Sequence, residues 1–181
     1  MSEADRVWRE RGLREAVLAG DERAWRTWYD ESFAALDAYV AWRCGGLRDL
    51  ADEVLQETWL VAVRRVRDFQ PDRGAFQAWL RGIAGGVIRN RLRRRQRDRT
   101  VVSLNGDVAS GQPHTDKRER KERVAEVLAK LPEHYEAVLR AKYLDGKTMA
   151  EIATEWNDSL KSVESLLTRA RDAFRQTYSE E

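Results

Sequence analysis

Apolar residues recur along this chain at helical spacing, in blocks broken by Gly, Pro, Asp and Asn, and nowhere with the two-residue alternation of a strand. The first block runs from about Leu13 to Gly45, with Ala24, Trp25, Trp28, Tyr29, Phe33, Leu36 and Val40 at helical spacing. Gly20-Asp21-Glu22 interrupts it, and Asp21 is placed to cap the helix that follows. The second block begins near Leu47, with Asp49 as its expected cap, and carries Leu50, Val54, Leu55, Trp59, Ala62, Val63 and Val66. The loop Phe69-Gln70-Pro71-Asp72-Arg73-Gly74 leads into a third block, Ala75 to about Arg97, which packs Phe76, Trp79, Leu80, Ile83, Val87 and Ile88 and then turns into bare arginine.

The pattern is sharpest between Leu131 and Arg175, where it spells a helix–turn–helix. Leu131-Pro132-Glu133 opens a helix, with Pro tolerated at a first helical position and an early acid suited to the positive helix end. Val138, Leu139 and Leu144 continue it until Asp145-Gly146. Thr148 with Glu151 forms a capping box for a helix that buries Met149, Ile152, Ala153 and Trp156. Asn157-Asp158-Ser159 is a turn, with Asp158 or Ser159 as cap of the last helix. In that helix Val163, Leu166, Leu167, Ala170 and Phe174 make one core stripe. The opposite face presents Lys161, Ser162, Glu164, Ser165, Thr168 and Arg169, side chains able to donate to and accept from base edges in a major groove.

Composition narrows the class. At 181 residues, 42% hydrophobic, 35% charged and with three Pro, the chain is a helical, soluble protein of one or two domains. Its formal charge of +2 hides a segregation: residues 1–60 hold eight basic and thirteen acidic residues, whereas 81–99 hold eight Arg against Asp98. An acidic end suits a protein partner and a basic patch suits nucleic acid. The single cysteine, Cys44, excludes a disulfide framework and a Cys-based zinc site within one chain, and His114 and His134 have no ligand spacing, so no metal or cofactor is expected. No apolar run is long enough to span a membrane and MSEADRVWRERG does not read as a signal peptide, which sets the expected location in the cytoplasm.

Between Thr100 and about Arg123 the chain turns to Gly, Ser, Asn and Pro and then to the charged run Asp116–Arg123, the composition of a flexible linker. The expected architecture is all-α: a helical domain over 1–99, a linker over 100–122 and a helix–turn–helix domain over 123–181.

These segments, taken in order, resemble an extracytoplasmic-function (ECF) sigma factor, the small two-domain class of bacterial transcription initiation factor. Ala19-Gly20-Asp21-Glu22-Arg23-Ala24-Trp25 is similar to the family's "AGDEAA" opening, Asp52 to Trp59 to its "EDLVQETF" helix, and Asp72 to Leu80 to its "ERGSFRAWL". Leu131-Pro132, Glu151-Ile152-Ala153, Val163-Glu164-Ser165 and Arg169-Ala170-Arg171 sit at the spacing of its region 4. Two departures stand out. Ile83-Ala84-Gly85-Gly86 replaces the family's "IARN", with paired Gly costing about 1 kcal/mol each against Ala unless close helix packing requires it. Ser162-Val163-Glu164-Ser165-Leu166 replaces Thr-Val-x-Ser-Arg, losing an Arg and adding a carboxylate to the reading face.

The resemblance implies core RNA polymerase as partner, through its β′ clamp helices and β flap, together with double- and single-stranded promoter DNA; an anti-sigma factor is a further partner the family allows. The clamp helices would meet Asp52, Glu53, Gln56 and Glu57, which share a polar face suited to a basic partner. The loop Phe69–Ala75 would hold a flipped base of the −10 element, with Arg73 beside it and Phe69 or Phe76 either stacking on the base or filling the core. Arg89, Asn90, Arg91, Arg93, Arg94, Arg95 and Arg97 would hold strands through phosphates. Lys161, Ser162, Glu164, Ser165, Thr168 and Arg169 would read the −35 element. No catalytic constellation is visible, so the chain is expected not to be an enzyme. A stand-alone helix–turn–helix regulator is the alternative, disfavoured by the acidic first domain and long linker; for a helical adaptor binding only proteins, eight arginines in 81–99 have no evident use.

Overall fold

The computed structural model describes residues 2–104 and 113–180. Every regular element among them is helical: α1 (Glu3–Leu18), α2 (Glu22–Arg43), α3 (Arg48–Arg65), α4 (Phe76–Leu104), α5 (Pro113–Lys130), α6 (Glu133–Tyr143), α7 (Met149–Trp156) and α8 (Leu160–Glu180), with two single 3-10 turns, Val66–Asp68 and Pro71–Arg73, between α3 and α4. Contacts divide the chain into two units, Met1–Ala41 with Arg48–Val108, and Trp42–Leu47 with Ala109–Glu181. The all-α fold class is as expected from the periodicity.

Four boundaries differ from the sequence reading, each for a local reason. Helix α1 begins at Glu3, well before Leu13, because Ser2 and Asp5 form a reciprocal capping box: the Asp5 N–H donates to Ser2 Oγ at 3.2 Å and the Ser2 N–H to Asp5 Oδ2 at 3.1 Å. Helix α3 begins at Arg48, so Asp49 lies in its first turn and, instead of capping, pairs with Arg95 at 3.3 Å. Pro132 is the N-cap of α6, one position earlier than expected. The expected linker is largely helical at its flanks: α4 continues to Leu104 and α5 starts at Pro113, where a Pro costs no hydrogen bond and the charged run gains the i,i+4 pair Arg118–Glu122 at 3.3 Å. Residues 105–112 of that linker lie outside the described residues.

The first unit is held by aromatic rings. Trp28 of α2 stacks on Phe76 of α4, centroids 4.1 Å apart and planes 6° from parallel, and Phe69 stands edge-on to both at 5.7 and 5.3 Å. Trp79 adds tilted contacts to Phe69 and Phe76, and Leu50, Val54, Ala62, Leu80, Ala84 and Ile88 extend the core where α3 packs on α4. In the second unit, Val138, Leu139 and Ala141 of α6, Ile152 and Ala153 of α7, and Val163, Leu167 and Ala170 of α8 form one buried cluster. Its helix starts follow the expected caps. The Thr148 N–H donates to Glu151 Oε2 at 2.8 Å and the Glu151 N–H to Thr148 Oγ1 at 3.2 Å. The Thr148 N–H and then the Thr148 hydroxyl, which also donates to Glu151 Oε2 at 2.8 Å, hold the Glu151 carboxyl below its ordinary range. Asn157 turns the chain between α7 and α8 in the left-handed region, φ 53°.

Gly85 and Gly86 are not explained by close packing. A Cβ at Gly86 would meet nothing within 4 Å, and one at Gly85 would meet only ordinary contacts, Arg89 Nη1 at 3.5 Å and the Tyr39 hydroxyl at 3.9 Å. Gly86→Ala is therefore expected to stabilise the protein by about 1 kcal/mol through helix propensity. Urea unfolding of the two proteins checks this, and an unchanged or lower midpoint would show that the glycine is structurally required.

Candidate nucleic-acid interface

Helix α8 separates a packing side from a solvent-facing side. With Val163, Leu167 and Ala170 buried, Lys161, Glu164, Ser165, Thr168 and Arg169 are exposed on the remaining surface. Its start is fixed twice over: the Ser162 N–H donates to Ser159 Oγ at 3.1 Å, and the Ser162 hydroxyl donates to Asp158 Oδ2 at 2.8 Å. Ser162 is thus half-buried and committed to the cap, while the Thr168 hydroxyl donates to the Glu164 carbonyl at 3.0 Å and keeps its lone pairs for a donor outside. Among the described residues Glu164 has no ion pair, with Lys161 or otherwise, so its carboxylate stands ready to accept.

On the first unit the acidic face of α3 and the arginine run of α4 meet. Arg91 binds two acids: Nη1 lies 2.8 Å from Glu53 Oε2 and Nη2 lies 2.7 Å from Glu57 Oε2, to which Nε also donates at 2.8 Å. Arg95 continues the ladder to Asp49 at 3.3 Å and reaches Glu53 at 4.0 Å. Asp52 and Gln56 are exposed beside it. Arg93 donates to Asn90 Oδ1 at 2.8 Å, and Arg89, Asn90, Arg93, Arg94 and Arg97 are exposed. Two groups of residues that the sequence assigns to separate partners are therefore interlocked along one helix pair. All members of the ladder are partly open to water, so each pair is worth about 0–1 kcal/mol.

The loop between α3 and α4 divides its residues sharply. Phe69 and Phe76 are 1% and 2% exposed, with their rings against Trp28 and each other, so they fill the core and offer no face to a base. Of the two roles left open for them, stacking on a base or filling the core, their burial is that of the core; the outward groups are Gln70, Asp72 and Arg73. Helix α1, which the sequence reading left without a role, lies against this loop. Glu10, 7% exposed, accepts the Phe76 N–H at 3.0 Å and an Arg6 Nη1 hydrogen bond at 2.9 Å, and the same Arg6 nitrogen donates to the Pro71 carbonyl at 3.3 Å. Arg14 donates to the Arg67 carbonyl at 2.9 Å and Arg11 pairs with Asp72. Arg11, Arg14, Glu15, Gln70 and Asp72 line a cleft of about 410 Å³ floored by Phe69 and Pro71. The one sequence signal for α1 was the Ser2–Asp5 spacing that starts it.

Against known proteins, Sigma-70 region 2 matches residues 23–98 and Sigma-70 region 4 matches residues 121–174. The ECF RNA polymerase sigma factor SigL of Mycobacterium tuberculosis is 31% identical over 170 residues, covering 91% of this chain and 94% of its own length. The RNA polymerase sigma factor CnrH of Cupriavidus metallidurans is 29% identical, covering 93% of this chain and 91% of its own. The chain spans 63% of the length of a further relative, SigE of Mycolicibacterium smegmatis, at 27% identity. A solved structure of CnrH in complex with the cytosolic domain of CnrY is similar at 26% identity and a TM-score of 0.48, covering 94% of this chain and 97% of that one. The two domains are those of a sigma factor, the class that directs transcription initiation. The chain belongs to its extracytoplasmic-function family. A stand-alone regulator is not favoured, since region 2 is matched as well as the helix–turn–helix. Among the described residues no helix is long and apolar enough to cross a membrane.

The ladder makes a stability distinction within the arginine run. Arg91→Ala is expected to cost about 1 kcal/mol, because it strips the shared cation from Glu53 and Glu57 and leaves two carboxylates side by side. Arg94→Ala, at an exposed position, should stay within about 0.5 kcal/mol of wild type. Chemical denaturation at low and high salt checks both, and equal costs for the two variants would mean that the ladder contributes nothing.

Proposed function

We propose that the chain binds core RNA polymerase through the acidic side of α3, captures the −10 strand with the α3–α4 loop and the arginines of α4, and reads the −35 element with α8. The observation that carries this reading is the face of α8: Lys161, Glu164, Ser165, Thr168 and Arg169 are solvent-facing on a helix whose start is doubly capped and whose other side is core. A capped, packed helix presents such groups in one fixed geometry, which is what base-edge readout needs. On α4 the exposed Arg89, Arg93, Arg94 and Arg97 supply phosphate contacts, which add affinity more than sequence choice. Asp52 and Gln56, exposed beside the ladder, are the groups of α3 most open to a basic surface of the polymerase β′ clamp helices. The chain itself performs no chemistry in this reading; strand separation follows from binding energy for unpaired bases. It acts in the cytoplasm, and an anti-sigma factor is a further partner.

Run-off transcription with purified core polymerase over a genomic promoter library tests the function: specific initiation that depends on the chain is expected, and no stimulation from any promoter overturns the reading. Within it, Glu164 favours cytosine at one −35 position by accepting from N4, a contact that discriminates by about 1–3 kcal/mol. Glu164→Ala should relax selection at that position and leave −10 selection unchanged in a randomised-promoter selection. Identical base preferences for the two proteins would mean that Glu164 reads nothing.

A further inference from the structure

We infer that α1 is a specificity element of strand capture, and that Glu10 is the residue that positions the capture loop. This rests on the reading that the α3–α4 loop holds an unpaired base. The structure supplies three observations beyond it. First, α1 lies entirely before the residues that match Sigma-70 region 2, 23–98, yet Arg6, Glu10, Arg11 and Arg14 all engage the loop and its flanks, while Arg9 pairs with α2, at Glu31. Second, the bonds go to loop backbone: carbonyls of Arg67 and Pro71 on one side and the N–H of Phe76 on the other, with Arg11 on the Asp72 side chain. A loop held at its backbone from both ends has one shape whatever its outward side chains are. Third, the central group is a buried carboxylate. Glu10 accepts an otherwise orphaned N–H from the first turn of α4, acting as a cap supplied from another helix, and Arg6 bridges the same carboxylate to Pro71.

The consequence is a composite cleft. Gln70 and Asp72 stand on the loop wall and Arg11, Arg14 and Glu15 on the α1 wall. At about 410 Å³ it has room for one nucleobase with part of its sugar, and its floor is the buried Phe69 edge and Pro71. The occupant assigned to it is one unpaired nucleotide, its base met by the Gln70 amide and its phosphate by Arg11 or Arg14. Gln70 both donates and accepts, so its orientation, set by the loop, decides which base edge fits. Moving the α1 wall or freeing the loop therefore changes base preference and not only affinity.

The test uses holoenzyme assembled from core polymerase and the full chain, with a promoter selected by the wild type. Two probes are compared: a template pre-opened across the −10 element, with that element randomised in a second pool, and a duplex carrying the −35 element alone. Glu10→Ala should bind the opened template about tenfold more weakly and select the captured base less sharply, while −35 binding is unchanged. Glu10→Gln, which keeps an acceptor for the Phe76 N–H, should recover most of the preference. Arg11→Ala, at an exposed position and safe for folding, should shift in the same direction by a smaller factor and decides the matter if Glu10→Ala fails to fold. Unchanged base preference in all three variants overturns the inference, as does an equal loss on the −35 probe, which would signal general damage. Failure of the wild-type holoenzyme to bind the opened template overturns the promoter reading itself.

Discussion

The stack of Trp28 on Phe76 is the constraint from which the loop and the arginine run of the first unit are built. It fixes the first residue of α4 against α2, and Glu10 fixes the N–H of that same residue against α1. A helix carries the orientation of its first turn along its whole length, at about 1.5 Å and 100° per residue. The arginines from Arg89 to Arg97 therefore inherit their direction from a ring contact more than a dozen residues upstream. Parallel stacking at 4.1 Å is also unforgiving of rotation, since the two rings would collide with Phe69 standing edge-on to both. Removing the Phe76 ring would cost the several kcal/mol of a large core truncation and would also loosen the aim of every charge beyond it.

The second unit solves the same problem with hydrogen bonds in place of rings. Helix α8 is short of aromatic anchors on its buried side, which consists of Val163, Leu167 and Ala170. Precision comes instead from the start of the helix, where Ser159 and Asp158 both engage Ser162, and from the left-handed Asn157 that sets the turn before it. Such caps contribute about 1 kcal/mol each to stability. Their larger effect here is geometric, because they determine where Glu164, Ser165 and Thr168 stand relative to the buried stripe.

What was legible in the sequence was what depends on neighbours in sequence. The caps at Asp21, Thr148 and Ser159 are local, and each is present with its expected donor. The buried stripes of α6, α7 and α8 follow from spacing alone. The start of α1 was missed because the segment after Ser2 has no apolar stripe; its one large ring, Trp8, is 80% exposed. The arginine ladder was not legible because Arg91 and Glu53 are 38 residues apart and Arg95 and Asp49 are 46 apart, and only the register of α3 on α4 brings them together. Phe69 and Phe76 were ambiguous for a related reason: an aromatic beside a loop is core or contact according to what packs on it, and Trp28 comes from a different helix. In the linker, composition pointed to flexibility, and side-chain ion pairing at i,i+4 favoured helix over 113–122.

The shared ladder between α3 and α4 has a consequence for how such a protein can be re-engineered. Arg91 and Arg95 draw their neutralising charge from Glu53, Glu57 and Asp49, so these two surfaces are not separate modules. Grafting an α3 from another source would strand two guanidinium groups against whatever the new helix offers. Grafting an α4 would strand three carboxylates. The heritable unit of exchange is the antiparallel pair with its charges matched across the seam, and chimeras cut between the two helices break it whichever half they keep.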